Sequence, residues 1–208
     1  MSMHIGIAAP IATEYLVAYL DGDLADAPRG YPGAPLVGVL IGELLKRGYR
    51  VSAFTTDKSM PLRQSPRQLA GKGLRLYVCP ARRHAWRPNG RHLGYILDGF
   101  SREQGVLAAC IQEAAPDLVH AHWTYEFALA ALQTGLPCLV TCHDDPWTVL
   151  RYTRSPYRAL RMLMALRVFR KARNLTAVSS YLAGAVRRYT PQSVAVVPNP
   201  LADYVLAS

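Results

Sequence analysis

Acidic residues are scarce. The chain carries 14 Asp and Glu against 24 Lys and Arg, a formal net charge of +10. Such an excess predicts an anionic partner: nucleic acid, an acidic membrane or a phosphorylated ligand. Cysteine is equally sparse. Cys79, Cys110, Cys138 and Cys142 are too few and too widely spaced for a disulfide scaffold. Cys138 and Cys142 lie on an apolar run, where a two-residue period places both on one face of a strand. They read as buried, reduced thiols. Long hydrophobic runs are missing too. The longest uncharged stretch, Phe127 to Cys142, is interrupted by Gln133, Gly135 and Pro137, whereas a membrane span needs about 20 mostly apolar residues. Met1 to Ala8 lacks the basic-then-apolar order of a signal peptide. The expected location is cytoplasmic, with room for peripheral attachment at the inner face of the membrane. No internal repeat, low-complexity segment, G-x-G-x-x-G or phosphate-binding P-loop pattern is found.

What is present suits a packed domain. Half of the 208 residues are hydrophobic and 18% are charged, enough for a sizeable core. His4 to Pro10 is a short apolar run that reads as a buried first strand. A long connection from Ile11 to Pro32 follows. Pro35 to Arg47 has helical spacing (Leu36, Val39, Leu40, Leu44), with Pro35 in the first turn and Gly48 as the stop. Tyr49–Thr56 reads as the next strand, Asp57–Gly73 as irregular, and Leu74–Cys79 as a strand. A helix is expected over Leu93–Ala115, then a strand at Leu118–His122, a helix at Glu126–Gln133 and a strand at Cys138–His143. A strongly basic helix over Arg158–Arg173, a strand at Asn174–Val178, a helix to about Arg188 and a strand at Val194–Val197 complete the pattern. This alternation predicts an α/β fold: a doubly wound, mostly parallel, Rossmann-like sheet flanked by helices.

In such sheets ligands bind beyond the carboxyl ends of the strands, and three features belong there. Arg29-Gly30-Tyr31-Pro32-Gly33-Ala34-Pro35 precedes the first helix. Its small residues allow close approach of backbone to a ligand, and the helix start favours a phosphate; a plain turn is the alternative. His120-Ala121-His122-Trp123-Thr124-Tyr125-Glu126 ends a strand with two histidines on one face. No further Asp/His cluster with metal-ligand spacing accompanies them, so no metal is expected. His120 reads as a satisfied core residue, and His122 as a hydrogen-bonding or acid–base group. Trp123 and Tyr125 are aromatics of the kind that stack on sugars or bases. Thr141-Cys142-His143-Asp144-Asp145-Pro146-Trp147 ends another strand with carboxylates. They can accept hydroxyl hydrogen bonds from a polyol or cap the next segment.

Together and in this order, these features resemble the amino-terminal, acceptor-side domain of a GT-B fold retaining glycosyltransferase of family-four type. The family pattern L-x-x-R-G-H-x-V reads here Leu44-Leu45-Lys46-Arg47-Gly48-Tyr49-Arg50-Val51. P-D-(V/I)-(V/I)-H-x-H reads Pro116-Asp117-Leu118-Val119-His120-Ala121-His122. P-x-V-x-T-x-H-D reads Pro137 to Asp144, V-S-x-x-L reads Val178 to Leu182, and V-I-P-N-G reads Val196-Val197-Pro198-Asn199-Pro200. Pro32 replaces the first glycine of the family's Gly-Gly pair and removes an N–H that would face the donor phosphate. Pro200 replaces the last glycine of P-N-G and stiffens the chain there.

The resemblance implies a Rossmann-like domain over 1–200. It also implies the start of an interdomain linker at 201–208, with the donor-binding domain absent from this chain. It implies a hexosyltransferase-type enzyme, active only when complete, with retention of configuration. A nucleotide diphosphate sugar would be the donor, with no cofactor and no essential metal. The acceptor would be a saccharide or lipid-linked, as in polysaccharide biosynthesis. His122 would touch the transferred sugar or the acceptor, and Gly33 and Ala34 would approach the donor phosphate. Trp123, Tyr125, His143 and Asp144 would shape the acceptor pocket. The charge concentrates in two segments. From 151 to 173 run Arg151, Arg154, Arg158, Arg161, Arg167, Arg170, Lys171 and Arg173 with no acid between them. That is either an anionic membrane contact or a core helix with a solvated arginine face. Arg82, Arg83 and Arg87 form the second cluster, for a membrane or an anionic acceptor. Nucleic acid is not expected as a partner, since no RRM, helix-turn-helix, KH or zinc-finger signature occurs. The competing readings are a non-catalytic Rossmann-like binding module and a subunit of a split transferase.

Overall fold

Strands of three to eight residues with branched apolar side chains pair here mostly in parallel, with helices on their faces. The computed structural model describes residues 2–201. In chain order the elements are β1 (His4–Ala8), a 3-10 segment (Thr13–Tyr19), α1 (Pro35–Lys46), β2 (Arg50–Asp57), β3 (Arg67–Gly71), β4 (Leu74–Pro80) and α2 (Ser101–Ala114). There follow β5 (Leu118–His122), α3 (Glu126–Gln133), β6 (Cys138–Cys142), α4 (Pro146–Thr153), α5 (Pro156–Lys171), β7 (Asn174–Ala177), α6 (Ser180–Val186) and β8 (Val194–Val196). The sheet order is β3-β4-β2-β1-β5-β6-β7-β8. All pairs are parallel except β3 with β4. This is the expected doubly wound α/β architecture.

The two-residue period of the strands sorts the core into two layers. Ile5, Ile7, Val51, Ala53, Leu74 and Leu76 pack with Val37 and Ile41 of α1, with Leu16 of the 3-10 segment and with Leu20 directly after it. Ala8, Phe54, Tyr77, Val119, Ala121 and Val140 face the other way, onto Leu107 and Ile111 of α2, Ala128 and Ala131 of α3, and Met164 and Val168 of α5. Both faces of the strands are therefore covered, as a parallel sheet requires.

The structure departs from or adds to that outline in four places. The stretch 57–73 holds β3, an antiparallel edge strand whose mostly exposed residues give it no apolar signature. The helix expected from Leu93 begins at Ser101. Gly99 and Phe100 take positive φ of 62° and 64° and break the turn before it. Residues 146–153 form α4, started by Pro146 and capped by the Asp145 side chain on the Trp147 N–H. The connection from Ile11 to Pro32 is tied down rather than open, through the 3-10 segment and a bridge between Ala12 and Gly30. Gly30 has φ 72°, and a Cβ there would meet the Ile11 carbonyl oxygen at 2.4 Å, so only glycine closes this bridge. The linker expected at 201–208 lies, beyond Leu201, outside the described residues.

Candidate active site

The chain winds outward from β1 through β2 to β4 on one side, and from β5 to β8 on the other. The order reverses between β1 and β5, and at such a switch point the loops leaving the two strands diverge and open a crevice. Here that crevice is about 200 Å3, lined by Pro10 beyond β1, Tyr31, Pro32 and Ala34 before α1, Trp123, Tyr125, Glu126 and Phe127 beyond β5, and Arg161 from α5.

Its two lips are both held in left-handed backbone. Ala34, the residue before α1, has φ 55°, and Trp123, directly after β5, has φ 62°. A side chain in that region costs roughly 1–2 kcal/mol, and such strain gathers where a site fixes its geometry. Gly33 has φ 115° with open space where a Cβ would stand. Backbone is thus exposed at the place expected for a phosphate, although Pro32 and Pro35 each remove an N–H.

Beyond β5 and β6 three imidazoles cluster. Period two puts His120 and His122 on the same side of β5, with ring centroids 4.2 Å apart. His120 Nε2 bonds the Thr141 hydroxyl at 2.7 Å, which bonds the Thr176 hydroxyl at 2.7 Å. His120 is therefore satisfied, as expected. His122 Nδ1 lies 3.0 Å from His143 Nε2, and His143 stacks on the Trp123 ring with centroids 4.1 Å apart. His122 is 3% exposed, and its Nε2 is buried without a partner. Burial, reinforced by the neighbouring imidazoles, holds His122 well below its ordinary pKa. Burial also lowers His120 and His143, each to about 4. At neutral pH the cluster is uncharged, and His122 offers one free imidazole nitrogen.

Tyr125 and Asp144 form the adjoining wall. The Tyr125 hydroxyl donates to Asp144 Oδ2 at 2.7 Å, while Asp144 Oδ1 is buried without a partner. Burial raises both groups above their usual values. The two carboxylates after β6 divide their work. Asp145 accepts from Trp147 N–H, the Thr148 hydroxyl, Arg188 and the Tyr189 hydroxyl, whereas Asp144 keeps an unused oxygen.

The structure thus brings together Ala34, Trp123, Tyr125, His143, Asp144 and His122, with Gly33 beside Ala34. It separates the arginines. Arg82 was expected at an anionic contact but is 1% exposed, bonded bidentately to Asp98 at 2.7 and 2.9 Å and to Glu103 at 2.5 and 3.0 Å. Arg161, expected there too, is enclosed. It is ion-paired with Glu126 and sits 3.7 Å over the Tyr125 ring. Each gave up solvent for acids distant in sequence, and a buried guanidinium persists only when so paired. Arg83, Arg87 and Arg154 are exposed and Arg158 is half-buried. Tyr31, Glu126 and Arg161 line the crevice without having been singled out for it. Tyr31 and Glu126 fall within the two loop motifs, but nothing local marks Arg161, which arrives only because α5 packs on α3. Among the described residues, no group of three or more His, Cys, Asp or Glu is arranged to hold a metal ion.

A family model described as Glycosyltransferase Family 4 matches residues 36–202. No curated relative matches in sequence. Several solved structures share the fold. An α,α-trehalose-phosphate synthase (UDP-forming) from Burkholderia vietnamiensis aligns at TM-score 0.61 and 14% identity, over 100% of this chain and 51% of that one. Sucrose-phosphate synthase from Thermosynechococcus elongatus aligns at 0.59 and 15%, over 94% and 48%. An E. coli trehalose-6-phosphate structure bound with UDP-2-fluoro glucose aligns at 0.58 and 12%, over 99% and 50%. The chain spans about half the length of each of these proteins.

Proposed function

Because the chain belongs to glycosyltransferase family 4, we propose that it is the acceptor-side half of a GT-B enzyme that moves a sugar, with retention, from a nucleotide diphosphate sugar to a saccharide or lipid-linked acceptor. One observation carries this reading: the loop before α1 and the loop beyond β5 converge at the topological switch point, where the crevice residue Trp123 stacks on His143 and so adjoins the buried His122. In the reaction the bond from the sugar's anomeric carbon to the donor phosphate breaks, and the acceptor oxygen bonds that carbon. The acceptor proton goes to the departing diphosphate. No metal and no cofactor take part in this scheme. The neutral His122 does not need to take the proton; its Nε2 hydrogen-bonds a sugar hydroxyl and orients it. Gly33 and Ala34 approach the donor phosphate, while Trp123 meets the acceptor ring on the side away from His143 and Tyr125 backs the crevice wall. His143 holds Trp123 and His122, and Asp144 Oδ1 is free to accept an acceptor hydroxyl. The donor nucleotide finds its main contacts in a second domain, so the 208-residue chain alone is expected to bind nucleotide sugar weakly and not to turn over.

The test is His122→Ala in the complete enzyme. Turnover should fall by roughly 100-fold, with folding unchanged by circular dichroism. Near-normal turnover would remove His122 from the site, and a protein that shows no sugar transfer when joined to its second domain would instead be a binding module.

A membrane contact is part of the proposal for a specific reason. Trp147 is 47% exposed and Tyr152 90% exposed, and they belong to the same short segment as the exposed Arg151 of α4 and Arg154 directly after it. Ring-and-guanidinium surfaces of this kind suit an anionic bilayer interface. The location that follows is the cytoplasmic face of a membrane.

A further inference from the structure

The second basic cluster lines a groove of about 850 Å3 between the segment after β2 and the segment after β4. Arg63, Arg83, His84, Arg91 and His92 border it, and no Asp or Glu does. None of the ion pairs among the described residues uses Arg63, Arg83 or Arg91. The nearby acids are spent elsewhere: Asp98 and Glu103 are turned inward onto Arg82. The groove is also built. The Asn89 side chain accepts from His84 N–H and donates to the carbonyls of His84, Arg87 and Leu93, which closes the 84–93 segment into a fixed ring. Arg83 donates to the carbonyls of Lys58 and Ser59, and Arg102 to that of Leu62, so the opposite rim is pinned as well.

The groove and the crevice lie on the same rim of the sheet, with one small void between them. That void, about 20 Å3, is lined by Tyr31, Lys58, Ala81 and Tyr95 and also by Arg82, Glu103 and Glu126, whose acids are paired with Arg82 and Arg161. It shares Tyr31 with the crevice and Ala81 with the groove. Groove and crevice are both built from segments that follow the carboxyl ends of strands. Resting on the transferase reading of the crevice, we infer that this groove binds a phosphoryl group of the acceptor, mono- or diphosphate, while the acceptor's reacting hydroxyl reaches over the rim to the crevice. Guanidinium forks without acidic partners match phosphate oxygens in charge and geometry, and the carboxyl-end rim is where a ligand of this fold belongs. A neutral saccharide would leave this density of cations uncompensated.

Titration calorimetry on the 208-residue chain, with inorganic pyrophosphate and separately with farnesyl diphosphate, tests the inference. Both ligands should bind, more weakly at high salt. The double variant Arg63→Gln, Arg91→Gln should lose about tenfold or more in affinity. The variant Arg47→Gln, Arg75→Gln, at the opposite end of the sheet, should not, and thermal unfolding should show all three proteins folded. Equal affinities for the two ligands point to a soluble phosphorylated acceptor, and clearly tighter farnesyl diphosphate binding to a lipid-linked one. No binding, or binding indifferent to Arg63 and Arg91, overturns the inference. His122→Ala should leave pyrophosphate binding intact, so failure of the groove and failure of the transferase reading are told apart.

Discussion

The three imidazoles beyond β5 and β6 decide how the site responds to acid. In the folded chain His120 and His143 hold protons only below about pH 4, and burial holds His122 well below its ordinary range too. In the unfolded chain each titrates near 6.5. Between those values the unfolded state binds more protons, so stability is full above pH 6.5 and falls as pH drops toward 4. Asp144, raised by burial, works in the opposite direction and offsets part of this. The thermal midpoint should decline steadily from pH 7 to 4.5, and a His120→Gln, His143→Gln variant should flatten that decline; an unchanged slope would mean that the imidazoles stay as hydrated as in the unfolded chain. Tyr125 is the second residue-scale case. Tyr125→Phe removes the donor to Asp144 and leaves the carboxylate buried with neither oxygen bonded. A loss of about 1–3 kcal/mol in urea denaturation is expected. The two strand-end motifs were legible because strand ends and loop chemistry are local signals, and the family resemblance implied that His122, Trp123, Tyr125, His143 and Asp144 share one site. The sequence did not reveal that Tyr125 and Asp144 bond each other, since that pairing depends on β5 and β6 being neighbours.

At the scale of elements, two side chains act as joints. Asp145 caps α4 and also receives Arg188 and Tyr189 from the far end of α6. Asp145→Ala should cost about 1–2 kcal/mol through the cap alone, and hydrogen exchange should show α4 opening before the sheet does. Arg82 locks the segment after β4 to the start of α2 through Asp98 and Glu103. Arg82→Ala should destabilise by about 3–5 kcal/mol, since it strands a buried carboxylate. Adding Glu103→Gln should recover part of the loss in the same unfolding assay. An Arg82→Ala chain as stable as the wild type would show that the pair is solvated. In the sequence Arg82 looks like its neighbours Arg83 and Arg87; only the distant acids that fold onto it separate the three.

At the scale of the whole molecule, the charge divides into internal and external parts. Arg82 and Arg161 are consumed inside, while the groove after β2 and β4 and the surface of α4 keep theirs. Co-sedimentation with vesicles rich in phosphatidylglycerol should therefore be salt-sensitive and should weaken several-fold in Trp147→Ala, Arg154→Gln. Binding unaffected by salt or by these changes would leave α4 without a membrane role. The amino-acid order by itself determined the parallel α/β alternation, the helix starts at prolines and caps, and the strand-end motifs that mark the family. These arise from periodicity and from contacts a few residues apart. Edge strand β3 escaped it, because a half-exposed antiparallel strand has little apolar pattern. Tertiary structure alone decided which strands became neighbours, and hence where the crevice opens. It also chose which arginines met acids 21 or 35 residues away and which kept facing solvent. Desolvation and pairing of charge are properties of the assembled sheet and helices, and no local run of residues encodes them.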